Sequence, residues 1–202
     1  MDDSARQIVE KAIELAAKGD FREAIELLYE VVERFPNFIA GYELIGDLYL
    51  KIAKPDLAIR PLEMALEINP DRYLTHFLLG CAYGRMLRFE EALEELEIAR
   101  QMRPDDSEIL RNMGWVSCMA GDVIRGREIL YQALEMNPDN GLIYNDLAAS
   151  YLFTSDRDLH KAGYWLEKAL EVEPDEPFIQ ETYAGYLEIL KSRKSIDPSL
   201  LN

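Results

Sequence analysis

Small and large apolar residues recur along the chain with helical spacing, inside blocks of about 34 residues. In one block, Leu79, Gly80 and Tyr83 lie at the i, i+1 and i+4 positions typical of a buried helix stripe. A short polar break, as at Gly121-Asp122, separates such a stripe from a second amphipathic segment. The pattern therefore predicts pairs of helices joined by short turns and repeated along the chain.

Each block ends on a proline that is followed by Asn or Asp. These prolines are Pro36, Pro70, Pro104, Pro138 and Pro174, with spacings of 34, 34, 34 and 36 residues. The residue before a proline is pushed out of the α region, so proline suits the end of a helix. The Asx side chain that follows can accept a hydrogen bond from the amides that start the next helix. We therefore predict a boundary between helix pairs at each proline.

Columns of small residues keep the same register through the blocks. They are Ala12, Gly46, Gly80, Gly114, Ala148 and Ala184, then Ala24, Ala58, Ala92, Gly126 and Ala162, and finally Ala65, Ala99, Ala133 and Ala169. Small residues let two helices cross closely, so we predict close packing within each pair. Gly126 in a helix costs about 0.5–1 kcal/mol, and we expect the fourth pair to be the least tightly packed. Pro55 stands where other blocks carry Phe or Val, so we expect a different turn there.

These columns together resemble the pattern of the tetratricopeptide repeat (TPR) family. The family sequence of aromatic, Leu-Gly, Tyr, Ala, Leu or Phe, Ala and Pro corresponds in the second block to Tyr42, Ile45-Gly46, Tyr49, Ala58, Leu62, Ala65 and Pro70. The resemblance covers residues 5 to about 190. It implies an all-α fold, a right-handed α-solenoid of five TPR helix-turn-helix pairs plus a C-terminal capping helix.

The resemblance also implies boundaries. We expect a single solenoid domain over residues 1–192 and a flexible tail over residues 193–202. The expected repeats are 5–38, 39–72, 73–106, 107–140 and 141–176, with the capping helix at 177–192.

Charge narrows the classes of partner. Asp and Glu number 38 against 22 Lys and Arg, which gives a net charge of −16. Binding to nucleic acid or to an anionic membrane needs a basic surface, so we expect neither partner. The opening residues contain no secretory signal pattern, and no apolar run reaches the length of a membrane span. We therefore expect a cytoplasmic protein.

The residue types that carry catalysis and metal binding are sparse. His76 and His160 lie in different blocks, and His76 occupies the aromatic packing column. Cys81 and Cys118 form no CxxC motif, and the glycines belong to columns or turns rather than to a phosphate loop. We therefore expect no catalytic, metal or cofactor site, and two reduced cysteines.

In the family, the first helices of successive pairs line a concave groove. At about 100° per residue, Leu74, Phe77 and Cys81 point about 130° away from the core stripe of their helix. Apolar residues that the core does not require favour a groove that binds an apolar-aromatic segment of a partner protein. The expected groove residues are Leu74, Phe77, Cys81, Arg85, Arg111, Trp115, Cys118, Leu142, Asn145, Leu152 and Phe178.

Other interpretations remain open at this point. Neighbouring first helices can bury part of this stripe, or the tail or a second copy can occupy it. The alternative function is a structural element that forms a homodimer through the groove or an end face. The family's chaperone-docking members hold a carboxylate with Lys, Asn and Arg, whereas this chain has Val9, Ile13, Glu43 and Asp47 at the matching positions. We therefore expect that clamp to be absent.

Overall fold

The computed structural model describes the chain from residue 3 to residue 196, with side chains up to residue 192. Eleven helices and no strand occupy this range. The helices are α1 (Asp3–Ala17), α2 (Phe21–Arg34), α3 (Ile39–Lys51), α4 (Pro55–Ile68), α5 (Tyr73–Arg85), α6 (Phe89–Met102), α7 (Ser107–Met119), α8 (Val123–Met136), α9 (Gly141–Leu152), α10 (Leu159–Val172) and α11 (Pro177–Ile196). The predicted all-α solenoid class is confirmed.

The helices pair as the repeat predicts, from α1 with α2 to α9 with α10, and α11 follows alone. Each second helix ends shortly before a proline, as α2 does at Arg34 and α4 at Ile68. The capping residue comes one position later than expected. Asp106 and Asn140, rather than the Asp directly after the proline, accept the first amide hydrogen bonds of α7 and α9.

The chain divides into two compact units, an N-terminal unit that ends at Pro104 and a C-terminal unit that begins at Asp105. The N-terminal unit holds α1 to α6, and the C-terminal unit holds α7 to α11. The single domain over residues 1–192 therefore stays a prediction. Among the described helices, none combines the length and apolarity needed to cross a membrane.

Close packing at the glycine column is clear in the N-terminal unit. A Cβ atom placed on Gly80 would lie 2.5 Å from Leu96 Cγ and 3.2 Å from the carbonyl oxygen of Ala92. Leu96 and Ala92 are fully buried on α6. Glycine thus makes room for a leucine side chain and for the backbone of the partner helix.

Pair four of the C-terminal unit contradicts one expectation. A Cβ on Gly126 would lie 2.7 Å from the backbone nitrogen of Cys118 and 2.7 Å from the carbonyl oxygen of Gly114. Such distances to backbone atoms leave no room for any side chain. The prediction that pair four is the least tightly packed is wrong, because glycines on both helices bring their backbones together.

The turns inside the first four pairs each contain one left-handed residue at the same repeat position. Gly19, Ala53, Leu87 and Gly121 have φ values of 88°, 54°, 61° and 100°, all in the left-handed region. Pro55 therefore does not produce a different turn, contrary to the prediction. It occupies the first position of α4, where a missing N–H costs no helical hydrogen bond.

The fifth pair and the last helix differ from the earlier repeats. Residues 153–158 form a longer turn between α9 and α10. Helix α11 continues to Ile196, so the expected cap at 177–192 is too short and the first four residues of the expected tail are helical. The rest of that tail, residues 197–202, lies outside the described part of the chain.

Candidate functional site

In the N-terminal unit, one face of α5 carries the apolar residues that the sequence predicted. Leu74, Phe77 and Cys81 are half-buried and pack beside the core of pairs two and three. Arg85 is exposed, and its Nη1 atom donates to the carbonyl oxygen of Leu50. The structure thus places these four residues together on α5, with part of the apolar surface open to solvent.

A buried carboxylate ties α3 to α5. Glu43 accepts hydrogen bonds from Arg72 Nε at 3.1 Å, from Arg72 Nη2 at 2.6 Å and from Thr75 Oγ1 at 2.7 Å. The hydrogen bond to Glu43 raises the pKa of Arg72. Glu43 lies on the predicted groove stripe, but its charge is satisfied by its own chain.

Between α1 and α3 the N-terminal unit contains an open cleft of about 370 Å³. Val9 occupies in α1 the repeat position that Glu43 has in α3, and it offers no polar tie. The cleft is lined by Ala12, Ile13, Ala16, Ala17, Phe21, Leu28, Leu44, Asp47, Leu48 and Lys51. We did not predict this cleft from the sequence, although three alanines beside the apolar Ile13 in α1 are a visible signal.

His76 connects neighbouring repeats within the N-terminal unit. Its Nδ1 atom lies 2.6 Å from Glu95 Oε2, and its Nε2 atom lies 2.9 Å from the carbonyl oxygen of Pro70. The side chain is buried. These contacts join the end of α4 to α5 and α6, which is the packing role expected from its column.

In the C-terminal unit, three predicted residues keep surface open to solvent. Trp115 on α7 and Leu142 on α9 are half-buried. Phe178 at the start of α11 is 52% exposed. An indole and a phenyl ring therefore remain partly available to a partner in this unit.

Three other predicted groove residues of the C-terminal unit are buried: Cys118, Asn145 and Leu152. The close crossing of α8 at Gly126 covers Cys118. Leu152 packs in a core cluster with Tyr151 and residues of α10. The expectation that these three side chains line an open groove is wrong, because a helical wheel of one helix does not show what its neighbours cover.

Arg111 is also engaged within its own unit. Its Nη1 atom donates to Asp146 Oδ2 at 2.8 Å, and its Nη2 atom donates to Glu108 Oε2 at 2.9 Å. Asn140 donates to the other oxygen of Glu108 at 2.5 Å. Burial lowers the pKa of Arg111, but the two carboxylates more than offset it, so the pKa is raised and the guanidinium stays charged. Arg111 ties α7 to α9 and is not a free cation for a ligand.

Asn145 lies beside this tie, directly before Asp146 in α9, and its side chain is buried. Its Oδ1 atom is buried and has no hydrogen-bond partner among the described residues. The side chain is therefore covered by its own unit and does not line an open groove.

A second buried cation holds the longer turn of pair five. Arg127 on α8 donates from Nε to Ser150 Oγ at 2.9 Å, and from Nη1 and Nη2 to Asp156 at 2.5 and 3.0 Å. Its guanidinium lies 3.6 Å from the ring centre of Tyr151. Hydrogen bonds from Arg127 and Thr154 lower the pKa of Asp156 to about 2. The inserted turn is thus fixed by the preceding pair.

Within residues 3–192, no group of three or more His, Cys, Asp or Glu side chains is arranged to hold an ion. The ionisable groups that are brought together serve as ties between helices. What the two units offer chemically is partly exposed apolar surface on first helices.

Comparison with known proteins places this arrangement in a family. A family model described as tetratricopeptide repeat matches residues 9–73 and 77–141. The solved structure of TTC0263, a thermophilic TPR protein of Thermus thermophilus, superposes with a TM-score of 0.78 at 22% identity and covers 91% of this chain and 98% of its own. YrrB, described as a TPR protein with an unusual peptide-binding site, has a TM-score of 0.60 at 18% identity, over 88% of this chain and 90% of its own.

A curated relative shares the repeats within a much larger protein. Protein O-mannosyl-transferase TMTC1 of Homo sapiens is 27% identical over 138 residues, which are 66% of this chain and 16% of the relative. The likeness to TMTC1 is therefore confined to a small part of that protein. With the family model matching well over half of the sequence, the chain belongs to the tetratricopeptide repeat family.

Proposed function

We propose that this chain is a non-catalytic adaptor, scaffold or chaperone-like module that binds an apolar-aromatic segment of a partner protein on the faces of its first helices. The TPR fold makes the chain a protein–protein interaction module in general terms. Beyond this, we propose which helix face binds the partner and that the partner segment is apolar. Nucleic acid, membranes and cofactors have no part in it.

The observation that carries the proposal is the half-exposed apolar stripe of α5. Leu74, Phe77 and Cys81 lie along one face and are not fully covered by the N-terminal unit. Partly buried aromatic side chains are already ordered, so binding can desolvate them at little cost in conformational entropy. Such anchors are where interface energy concentrates.

The C-terminal unit supports the same mode of binding with different residues. Trp115, Leu142 and Phe178 retain exposed apolar surface on α7, α9 and α11. The proposed surface excludes the buried residues Cys118, Asn145 and Leu152.

Two comparisons bear on the type of function. The peptide-binding site named for YrrB favours peptide recognition, although the likeness to YrrB concerns the fold. The transferase relative shares only the repeat segment, over 16% of its length. A binding role, without transferase chemistry, is therefore the function we propose, in the cytoplasm as the sequence suggested.

The test uses the 202-residue chain as bait, followed by a measured affinity for the captured protein. Phe77→Ala and Trp115→Ala should each weaken binding by about 2 kcal/mol, because both remove an aromatic anchor. Glu94→Ala, at an exposed position of α6, is the matched control and should leave the affinity unchanged. Loss of binding in the control, with retention in both folded aromatic variants, would place the site elsewhere.

Self-association is the alternative function, and α11 provides its specific support. Phe178 is 52% exposed and Leu187 is 37% exposed on this helix, which has no second helix paired with it in the described range. A homodimer through this end would bury both side chains. Light scattering over a range of concentrations should then show a dimer that Leu187→Glu dissociates, and a constant monomer mass would eliminate this alternative.

A further inference from the structure

We propose that Asn140 and Gly141 form a latent deamidation site, which the fold protects and whose product loosens the junction between pairs four and five. The chemistry is intramolecular and needs only water, so it does not depend on the proposed binding function. Asn140 is the one asparagine of the 202-residue chain that is followed by glycine. Three observations carry the proposal: the dipeptide itself, the two hydrogen bonds that hold Asn140, and the carboxylate of Glu108 beside it.

The reaction converts the side-chain amide of Asn140 into a carboxylate. The backbone nitrogen of Gly141 attacks Cγ of Asn140, the bond between Cγ and Nδ2 breaks, and Nδ2 leaves as ammonia with the proton of the Gly141 amide. Water then opens the cyclic imide at one of its two carbonyl carbons and leaves aspartate or isoaspartate at position 140. No electrons are transferred. Glycine favours the attack because it has wide backbone freedom and no side chain to hinder its nitrogen.

The structure accounts for both residues of this reactive pair. Asn140 is the N-cap of α9, and its Oδ1 atom accepts a hydrogen bond from the backbone nitrogen of Leu142 at 3.0 Å. Gly141 is buried. A Cβ atom placed on it would lie 2.9 Å from Cβ of Glu173 and 2.9 Å from Cδ1 of Ile179. Packing therefore excludes a side chain at the residue that makes the asparagine reactive.

In the folded chain, Asn140 is held at both the oxygen and the nitrogen of its amide. While Oδ1 caps α9, Nδ2 donates to Oε1 of Glu108 at 2.5 Å, and Glu108 also pairs with Arg111 of α7. Ring closure requires the side chain to turn until Cγ meets the nitrogen of Gly141, and this rotation breaks both hydrogen bonds. The reaction is therefore confined to molecules in which the start of α9 has opened from α7, which are a small fraction under native conditions.

The product cannot rebuild the contact with Glu108. Aspartate at position 140 has no N–H to donate, and its carboxylate would meet the carboxylate of Glu108 where the hydrogen bond stood. The dipole of α9 favours a negative charge at the cap, but this effect is smaller than the lost hydrogen bond to a charged acceptor. Isoaspartate lengthens the backbone by one carbon and moves the cap out of register. Deamidation therefore turns a transient opening into a lasting one.

Peptide mapping by mass spectrometry measures the reaction in the 202-residue chain. Samples are incubated at mildly alkaline pH, either folded or unfolded in urea. Asn140 should convert at least about tenfold faster in the unfolded chain, because only open molecules react. Asn37, which is exposed but precedes Phe38, is the internal control and should convert more slowly than Asn140 once the chain is unfolded.

Two variants separate protection by the fold from the reactivity of the sequence. Glu108→Ala removes the acceptor of Asn140 Nδ2 and should speed the native reaction by about tenfold, with the rate in urea unchanged. Glu128→Ala, at an exposed position of α8, is the matched control and should change neither rate. Circular dichroism confirms that each variant is folded at the incubation temperature.

Thermal melting tests the effect of the product. Asn140→Asp reproduces one product and should melt below the wild-type chain. Adding Glu108→Gln should recover part of that loss, because the facing carboxylate is then neutral. Asn140→Ser keeps a capping oxygen without a charge and should melt above Asn140→Asp.

The proposal is overturned if Asn140 converts equally fast in the folded and unfolded wild-type chain, a comparison that needs no variant. It is also overturned if Glu108→Ala leaves the native rate unchanged, or if Asn140→Asp melts at the wild-type temperature. A slow native reaction that Glu108→Ala accelerates, together with a lowered melting temperature for Asn140→Asp, supports it.

Discussion

The step from α1 to α3 in the N-terminal unit and the step from α7 to α9 in the C-terminal unit use the same repeat positions in opposite ways. Val9 and Arg111 are equivalent in the repeat, and so are Ile13 and Trp115. With valine, the space beside α1 stays open as an apolar cleft. With arginine, an ion pair to the buried Asp146 joins the helices.

In these two steps, a polar residue at this repeat position accompanies a tied pair of first helices (a seam), and an apolar residue accompanies an open cleft. A buried ion pair costs desolvation energy and is therefore a poor source of stability, but it holds geometry strongly once both partners are present. In the C-terminal unit, part of the first-helix surface is therefore used for contacts between helices, and it is not available to a partner. The N-terminal unit keeps apolar surface open.

The largest expected effect comes from removing the ion pair between Arg111 of α7 and Asp146 of α9. Asp146→Leu leaves the partly buried Arg111 with Glu108 as its remaining carboxylate partner and should destabilise the chain by about 3 kcal/mol. The double variant Arg111→Met with Asp146→Leu should recover most of that loss, because the buried carboxylate and its cation are both removed and the remaining Glu108 is exposed enough to be hydrated. Urea unfolding measures both.

The N-terminal unit provides the control for this seam. The exposed pair of Lys51 and Asp47 should contribute under about 1 kcal/mol, so Lys51→Ala should change little. If the two single variants had equal effects, the distinction between surface and seam would fail.

The second prediction concerns one repeat position, which requires glycine in the C-terminal unit and favours alanine in the N-terminal unit. Gly126→Ala should destabilise the C-terminal unit by about 1–3 kcal/mol, although alanine is the better helix former, because its Cβ would overlap backbone atoms of α7. Ala92→Gly, at the same column in the N-terminal unit, should also destabilise, by about 1 kcal/mol through helix propensity. Gly185→Ala on α11 has open space and should stabilise the helix. A stabilising Gly126→Ala in thermal melting would contradict the close crossing.

The third prediction separates the two cysteines by reaction rate. Burial raises the pKa of Cys118 to about 11, so its thiolate is scarce at about pH 8. Its alkylation should be about a hundredfold slower than that of an ordinary thiol and should accelerate as the pH rises towards that pKa. Cys81, half-exposed on α5, should be labelled first. Mass spectrometry of time points distinguishes the sites, and two free thiols should be found after unfolding.

The smallest expected effect lies in the turns. Leu87 has a left-handed φ of 61° and a side chain that is 68% exposed, so Leu87→Gly removes strain with little lost packing. We expect a gain of up to about 1 kcal/mol. The reverse change in the C-terminal unit, Gly121→Leu, should lose a similar amount. Paired denaturation curves test both, and a loss in Leu87→Gly would show that its side chain is needed.

The helices and their pairing could be predicted because the residues that determine them lie within the same repeat. Pro70, Gly80 and Leu96 act through neighbours only a few residues or one helix away, and the periodic columns repeat that information. The end of α11 was missed because no proline or glycine lies between Gly185 and Pro198 to mark it.

The exposure of the site was harder to predict, for a physical reason. On a helical wheel, Leu152 and Asn145 lie on the same face as residues that are partly exposed in other repeats. Neighbouring helices nevertheless cover both of them. From the sequence, Arg111 was predicted to be a cation of the groove. In the structure, it pairs with Asp146 and Glu108. Contacts between repeats depend on pairs of residues about 35 positions apart, and a single wheel contains no information about them.

The anchored turn of pair five has a consequence for anyone who shuffles or shortens the array. Arg127 belongs to pair four, but its partners Ser150 and Asp156 belong to pair five. Pair five moved to another scaffold would carry an unmatched acidic loop, and pair four moved alone would carry an unmatched buried cation. These two repeats therefore form one building block, to be duplicated, deleted or transplanted together.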